Sequence, residues 1–327
     1  MTDVPVCGTA PGEEHTLAAS GQRPLKVGLF LPVWEDSTTG AVPAWTELLA
    51  RARLAVAVGF DSLWVPDHLL LRFPDTPAEG VWEGWSILSA LAAVTQRVTL
   101  GTLVACTGFR NPALHAKMAA TVDEISGGRL ILGLGAGWHA PEFAAFGLPF
   151  DHRVGRFAEA TKIIHGLLRH GVVDVAGTYY QARDCELRPR GPRPSGPPIM
   201  IGGSGPRMVA LAAQFADIWS RDFDAVLPGS ELHSPAGLAA WRDRLDTACA
   251  EAGRDPATLA RSAAVHIGLA PERARSEMLT GAPEVIAERM RSYARAGISH
   301  VQLWLEPSTQ AGIEAFAPVL AFLDQRS

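Results

Sequence analysis

A chain of 327 residues, 47% apolar and 19% charged, is long enough for one large barrel or two ordinary domains, and its composition excludes disorder as the default. A formal net charge of -5 argues against a nucleic-acid-binding surface or a charge-driven partner. Cys7, Cys106, Cys185 and Cys249 stand far apart without a C-x-x-C pair, which excludes a disulfide framework or a zinc signature and fits reduced thiols in a cytoplasmic protein.

Residues 1–24 carry Asp3, Glu13, Glu14 and His15 among Gly, Pro and Ser, with no central apolar stretch. A disordered N-terminal extension is expected there rather than a secretory signal. No apolar run approaches the roughly 20 residues that cross a bilayer, so no membrane is implied.

From residue 25 the pattern alternates. A strand is predicted over 26–33. A helix follows, with Trp45, Leu48, Leu49, Ala52 and Val56 at helical spacing and Gly59 where a C-terminal cap belongs. A strand at 62–66, a helix at 85–94 and a strand at 98–104 come next. Asn111 as N-cap and Pro112 in the first turn open a third helix, in which Leu114, Met118, Val122 and Ile125 are the expected buried stripe. A strand at 130–134 precedes a helix at 153–170. Residues 171–197, rich in Gly, Pro and Arg, read as an insertion. Strands at 198–201, 217–220, 262–269 and 300–305 then alternate with helices at 206–215, 235–252, 283–296 and 312–323.

The predicted strands number eight, each followed by a helix, and several are apolar throughout, as strands covered on both faces are. The fold class is therefore α/β: a (β/α)8 TIM barrel over 25–327 with an insertion before the fifth strand. An open doubly wound sheet is the competing arrangement.

A barrel places its site at the C-terminal ends of its strands. Gly, Ala and Trp dominate those ends here, as close backbone approach to a flat aromatic cofactor requires. Gly202, Gly203, Ser204 and Gly205 lead into a helix opened by Pro206, where free N–H groups and the helix dipole suit a phosphate; the same glycines equally serve a tight turn. Arg207 either adds charge there or is solvated. Asp67 and His68 form the adjacent acid–imidazole pair at a strand end, fit for proton transfer or, alternatively, for capping a turn and packing on the rim. The GxGxG at 133–137 lacks the register of a dinucleotide fingerprint.

Taken together, the segment GFDSLWVPDH ending at His68, Leu100-Gly101-Thr102 running to Asn111-Pro112, Gly128-Arg129-Leu130 running to Gly137-Trp138, and Ile201-Gly202-Gly203-Ser204-Gly205 resemble the bacterial luciferase-like family of flavin and deazaflavin oxidoreductases. The resemblance covers about residues 25–325. An Asp-His ending of the second strand is similar to the branch that uses coenzyme F420. It implies a cytoplasmic, homodimeric enzyme passing a hydride between the deazaflavin and a small organic substrate.

In that reading His68 contacts the deazaflavin or moves the proton, and Asp67 binds or orients the ring. Leu103 and Val104 lie beneath the ring, at a peptide that in the family is sometimes cis. Ala136 and Gly137 lie along the cofactor, and Gly202, Gly203, Ser204 and Gly205 hold its phosphate. Trp34, Arg72, Trp138, Trp304 and Glu306 are expected on the substrate side. Trp138 stands where sugar-phosphate dehydrogenases of the branch carry a glutamate acid, which points to an apolar or planar substrate.

The alternative on the same barrel is an FMN-dependent monooxygenase using reduced flavin and O2. A metal-dependent hydrolase built on His68, His139 and His266 finds no ligand spacing to support it, so no metal is expected. A binding protein without activity is the remaining class. The loops at 69–84, 138–152 and 221–236 are expected to shape the substrate pocket.

Overall fold

The computed structural model describes residues 23–36, 40–221, 235–270 and 278–325. Eight parallel strands form the wall: β1 (Lys26–Phe30), β2 (Ser62–Val65), β3 (Thr99–Thr102), β5 (Leu130–Gly135), β8 (Ile199–Gly202), β9 (Ile218–Arg221), β10 (Ala260–Gly268) and β11 (His300–Glu306). Each pairs with the next, and β11 pairs back onto β1 through Lys26↔His300 and Leu29↔Leu303, which closes the sheet. The predicted TIM barrel is the fold, and the open sheet is excluded by that closing pair.

The outer helices are α1 (Trp45–Val58), α2 (Gly84–Val94), α3 (Pro112–Ile125), α5 (Arg153–His170), α6 (Pro206–Phe215), α7 (Pro235–Glu251), α8 (Pro283–Arg295) and α9 (Gln310–Asp324). Local signals end them where the sequence suggests. Gly59 caps α1 at φ 100, and Asn111 accepts the Ala113 N–H at 2.9 Å.

The third strand is broken. After β3 the Leu103–Val104 peptide is cis, and the chain resumes as β4 (Ala105–Cys106), which pairs with β5 one turn of the pleat further on. A short helix, α4 (Ala140–Ala145), occupies the loop predicted at 138–152. The insertion is a hairpin of β6 (Val172–Ala176) and β7 (Gln181–Glu186), antiparallel to each other. Glu159 of α5 holds its tip by accepting the N–H groups of Thr178 and Tyr179 at 2.8 Å.

The barrel interior is filled by Phe30, Trp64, Ile131 and Met200. Trp64 is fully buried, and a Cβ on Gly101 would lie 2.2 Å from it; one on Gly28 would lie 2.4 Å from its Nε1. Its indole N–H donates to Ser62 Oγ at 2.7 Å, and Ser62 Oγ meets His300 Nε2 at 2.8 Å. Burial drives the His300 pKa down to about 3, so the imidazole is neutral.

One expectation fails. The stripe assigned to the core face of α3 points away from it: Leu114 is 53% and Ile125 45% exposed, Met118 is half-buried, and only Val122 is buried. The face turned to the barrel is instead Ala116, Ala119, Ala120 and Asp123, with His115. Small residues let α3 lie close to its neighbours, so apolar size alone misidentified the inner face.

At the N-terminus, residues 1–22 of the predicted extension lie outside the described residues. Arg23, at its inner end, is tied to the barrel: it donates to Gly59 O at 2.7 Å and to Asp324 Oδ2 at 2.9 Å, and pairs with Asp61. Loop residues 222–234, part of the predicted pocket, also lie outside the described residues.

Candidate active site

The strand ends converge on one mouth. On one side the cis Leu103–Val104 step forms a shoulder, its Leu103 N–H donating to Val65 O at 2.8 Å. Val104 presses on β5, where a Cβ at Gly135 would come within 2.6 Å of its Cγ2. Gly137 follows at φ 76, and a Cβ there would lie 2.7 Å from both Cys106 Sγ and Phe143. Gly135 and Gly137 are thus required by close packing against Val104, Cys106 and Phe143.

Beneath it sits a buried ion cluster. Both oxygens of Asp67 accept from the Arg110 guanidinium, at 2.7 and 2.9 Å, and Oδ2 also accepts the Cys106 N–H at 2.9 Å. Arg110 reaches on to Glu83 Oε1 at 2.6 Å, the N-cap of α2. Burial raises the Asp67 pKa, opposed by Arg110 and the Cys106 N–H. The Asp67 side chain has no exposed surface, and it locks β4 and the Arg110 turn to the end of β2. Burial and the nearby Asp67 push the Cys106 thiol up to about 12, so it is no nucleophile near neutral pH.

His68, the next residue, is only half-buried and faces the mouth. Its Nδ1 lies 3.1 Å from Oε1 of Glu142, whose side chain is almost wholly buried; Glu142 Oε2 accepts the Leu69 N–H at 2.9 Å. His139 supports the same loop by accepting the Arg72 N–H on Nε2 at 2.9 Å. Burial lowers the His139 pKa, with Glu142 opposing. The segment carrying α4 is thereby stapled to the loop after β2. That loop in turn folds back on the one after β1 through the Trp34↔Val81 bridge.

Around His68 stands an aromatic wall. Its ring centroid is 6.3 Å from Trp34 and 5.7 Å from Trp138, edge to face in both cases. Trp34 meets Trp304 at 5.3 Å, and Trp304 meets His266 at 4.5 Å. Trp138, 57% exposed, stacks on Phe73 at 6.4 Å. Such a rim offers planar apolar surface with few fixed charges.

On the far side, Gly203 at φ 126 and Gly205 open α6 without a side-chain cap. A Cβ on Gly205 would meet nothing within 4 Å, so the helix start is open. Arg244 donates to Ser204 O at 3.4 Å, and Arg221 ends β9 close by. Burial, and to a smaller extent the charge of Arg244, lower the Arg221 pKa. A helix N-terminus beside two guanidiniums is fitted to an anion.

The structure therefore brings together at one mouth His68, Leu103, Val104, Ala136, Gly137, Trp34, Trp138 and Trp304, with Gly202, Gly203, Ser204 and Gly205 across it. Arg72 is exposed, and its backbone rather than its side chain makes the contact with His139. Glu306 ends β11 half-buried, in register with Gly268. The sequence reading missed Glu142, Arg110, Arg221 and Arg244. Only Glu142 had a local signal, a carboxylate in the first turn of a helix after Pro141.

A flat, phosphorylated redox cofactor fits these residues: an aromatic rim of Trp34, Trp138 and Trp304 offers planar apolar surface, and the start of α6 at Gly205 is open, with Arg244 beside Ser204. Among the described residues no three His, Cys, Asp or Glu side chains are grouped to hold a metal ion, and no helix is long and apolar enough to cross a membrane.

The family model for luciferase-like monooxygenase matches residues 25–279. The chain is 33% identical over 243 residues to a phthiodiolone/phenolphthiodiolone dimycocerosates ketoreductase of Mycobacterium sp. (strain JLS), covering 68% of this chain and 61% of that protein. It is 36% identical over 243 residues to the pyrimidine monooxygenase RutA of Methylobacterium radiotolerans, covering 70% and 61%. The match thus spans about three fifths of those relatives' length. Among solved structures, an F420-dependent secondary alcohol dehydrogenase in complex with an F420-acetone adduct superposes with a TM-score of 0.76 at 21% identity, over 93% of this chain and 99% of that one. With a family model spanning most of its length and the barrel to match, the chain belongs to the luciferase-like monooxygenase family of oxidoreductases.

Proposed function

We propose that this protein is an F420-dependent oxidoreductase that passes a hydride between the deazaflavin and a small apolar or planar organic substrate. The observation that carries the reading is His68: an imidazole at the end of β2, one nitrogen 3.1 Å from a buried carboxylate, its ring standing between Trp34 and Trp138. When bound, the deazaflavin supplies the hydride chemistry.

The chain's own residues orient it and handle the proton. Leu103 and Val104 support the ring from below, with Ala136 and Gly137 along its edge. Gly202, Gly203, Ser204 and Gly205 hold the phosphate, helped by Arg221 and Arg244. Asp67 acts from beneath, fixing the shoulder rather than touching the reacting atoms. Trp34, Trp138 and Trp304 keep water off the substrate, and Arg72 and Glu306 stand at its edge. His68 gives or takes the proton through Nε2, since Nδ1 is committed to Glu142.

The test is a titration of the purified chain with F420 and with FMN, followed by fluorescence, and then turnover on a panel of small ketones and quinones with reduced F420. Binding of F420 without FMN is expected. His68→Ala should lower turnover by about 10²-fold or more while cofactor affinity stays within a few-fold. Unchanged turnover in that variant removes His68 from the mechanism.

The second reading, an FMN-dependent monooxygenase, is favoured by the 36% identity to a pyrimidine monooxygenase. Tight FMN binding with no deazaflavin binding would establish it in place of the first. In either case we propose a homodimer.

A further inference from the structure

We propose that Glu142 is a positioning residue that fixes the tautomer of His68, so that the proton sits on Nδ1 and the free lone pair of Nε2 faces the mouth. This deepens the functional reading above and rests on it only for the consequence in turnover.

The argument is one of donors and acceptors. A carboxylate has only acceptors to offer. Glu142 Oε2 accepts the Leu69 N–H at 2.9 Å, and both oxygens face His68 Nδ1, Oε1 the nearer at 3.1 Å and Oε2 at 3.3 Å. With the acid almost wholly buried, water does not compete for these atoms. A neutral imidazole that meets an acceptor on Nδ1 must carry its proton there, and Nε2 is left as the acceptor.

The same two contacts fix the outcome of the isosteric change. In Glu142→Gln one oxygen becomes an NH2 group. Leu69 N–H can only donate, so the amide oxygen must turn to it. The NH2 group is then left facing His68 Nδ1 and donates to it. Nδ1 becomes an acceptor, the proton moves to Nε2, and the nitrogen at the mouth changes from acceptor to donor. The substitution therefore reverses a tautomer while keeping volume and both hydrogen bonds.

The experiment is a long-range 1H–15N correlation spectrum of the full chain labelled with ring-15N histidine, recorded above about pH 8 where an ordinary imidazole is neutral. His68 is assigned by its disappearance in His68→Gln. The wild-type protein is expected to show the Nδ1–H pattern, and Glu142→Gln the Nε2–H pattern with the fold intact by thermal melting. With reduced F420 and the best acceptor of the panel, turnover should fall on the order of 10²- to 10⁴-fold, the scale of a wrong tautomer in a catalytic imidazole, while F420 affinity changes less than about threefold.

An Nε2–H pattern in the wild-type protein overturns the proposal without any variant. So does a Glu142→Gln spectrum unchanged from wild type, or a reversed tautomer with undiminished turnover. Failure to bind F420 or FMN would instead sink the functional reading, and the tautomer result would stand apart from it.

Discussion

His115 shows how costly a single buried side chain can be. It sits on the inner face of α3 with its ring 5.2 Å from Trp85, fully buried, and neither ring nitrogen has a hydrogen-bond partner among the described residues. Burial, with Arg110 nearby, drives its pKa down to about 3. In the unfolded chain the same group takes its proton near 6.5. The unfolded state therefore binds protons first: the full stability is present above about pH 6.5 and is lost as pH falls from there toward 3. The slope is about 1.4 kcal/mol per pH unit for each such group, and His300 behaves alike. Unfolding free energies from urea titrations at pH 6.5 and 5 should differ by about 1.6 kcal/mol per histidine. His115→Phe, which removes no hydrogen bond, should abolish one histidine's share; a variant as acid-sensitive as the wild type would show that His115 is protonated in the fold.

At the scale of elements, glycine does opposite jobs at the two ends of the strands. A Cβ on Gly101, in β3, would clash with Trp64 at 2.2 Å, and the indole cannot retreat because Ser62 holds its N–H. Gly101→Ala should cost about 3 kcal/mol or more in a denaturant titration, while Gly205→Ala, whose Cβ meets open space at the start of α6, should change stability by less than about 0.5 kcal/mol. Equal losses would mean the barrel interior can relax around Trp64.

These elements were largely legible from local pattern. Strand runs, Asn111 with Pro112, and Gly59 are short-range signals, and they placed the barrel correctly. What escaped was set by contacts distant in sequence. The break between β3 and β4 depends on Val104 lying against Gly135, and Asp67 is tied to Arg110, 43 residues on. Glu142 reads as a surface acid in a six-residue helix until its burial against Leu69 is seen. The inner face of α3 was misread because small residues, not large ones, meet the barrel.

That misread stripe becomes informative for the whole molecule. Among the large exposed apolar residues are two groups, Phe73, Trp82 and Trp138 around the mouth, and Val94, Leu114 and Ile125 at the ends of α2 and α3, with Phe146, Val172 and Val285 elsewhere. The first suits a substrate. The second lies on the flank of the barrel, where Leu114 and Ile125 are exposed on one stripe of α3 with the partly buried Met118 between them. Exposed apolar residues on two neighbouring helices are the kind of surface a second copy covers, through an interface of roughly 800 Å² per partner. The native chain is therefore expected to sediment as a dimer at micromolar concentration. A Leu114→Glu, Ile125→Glu double variant places two like charges on the stripe of each copy, which a two-fold axis brings together, and should sediment as a folded monomer with F420 affinity within a few-fold of wild type. A native chain that is monomeric throughout, or a double variant that stays dimeric, would show that this flank is not the contact between copies.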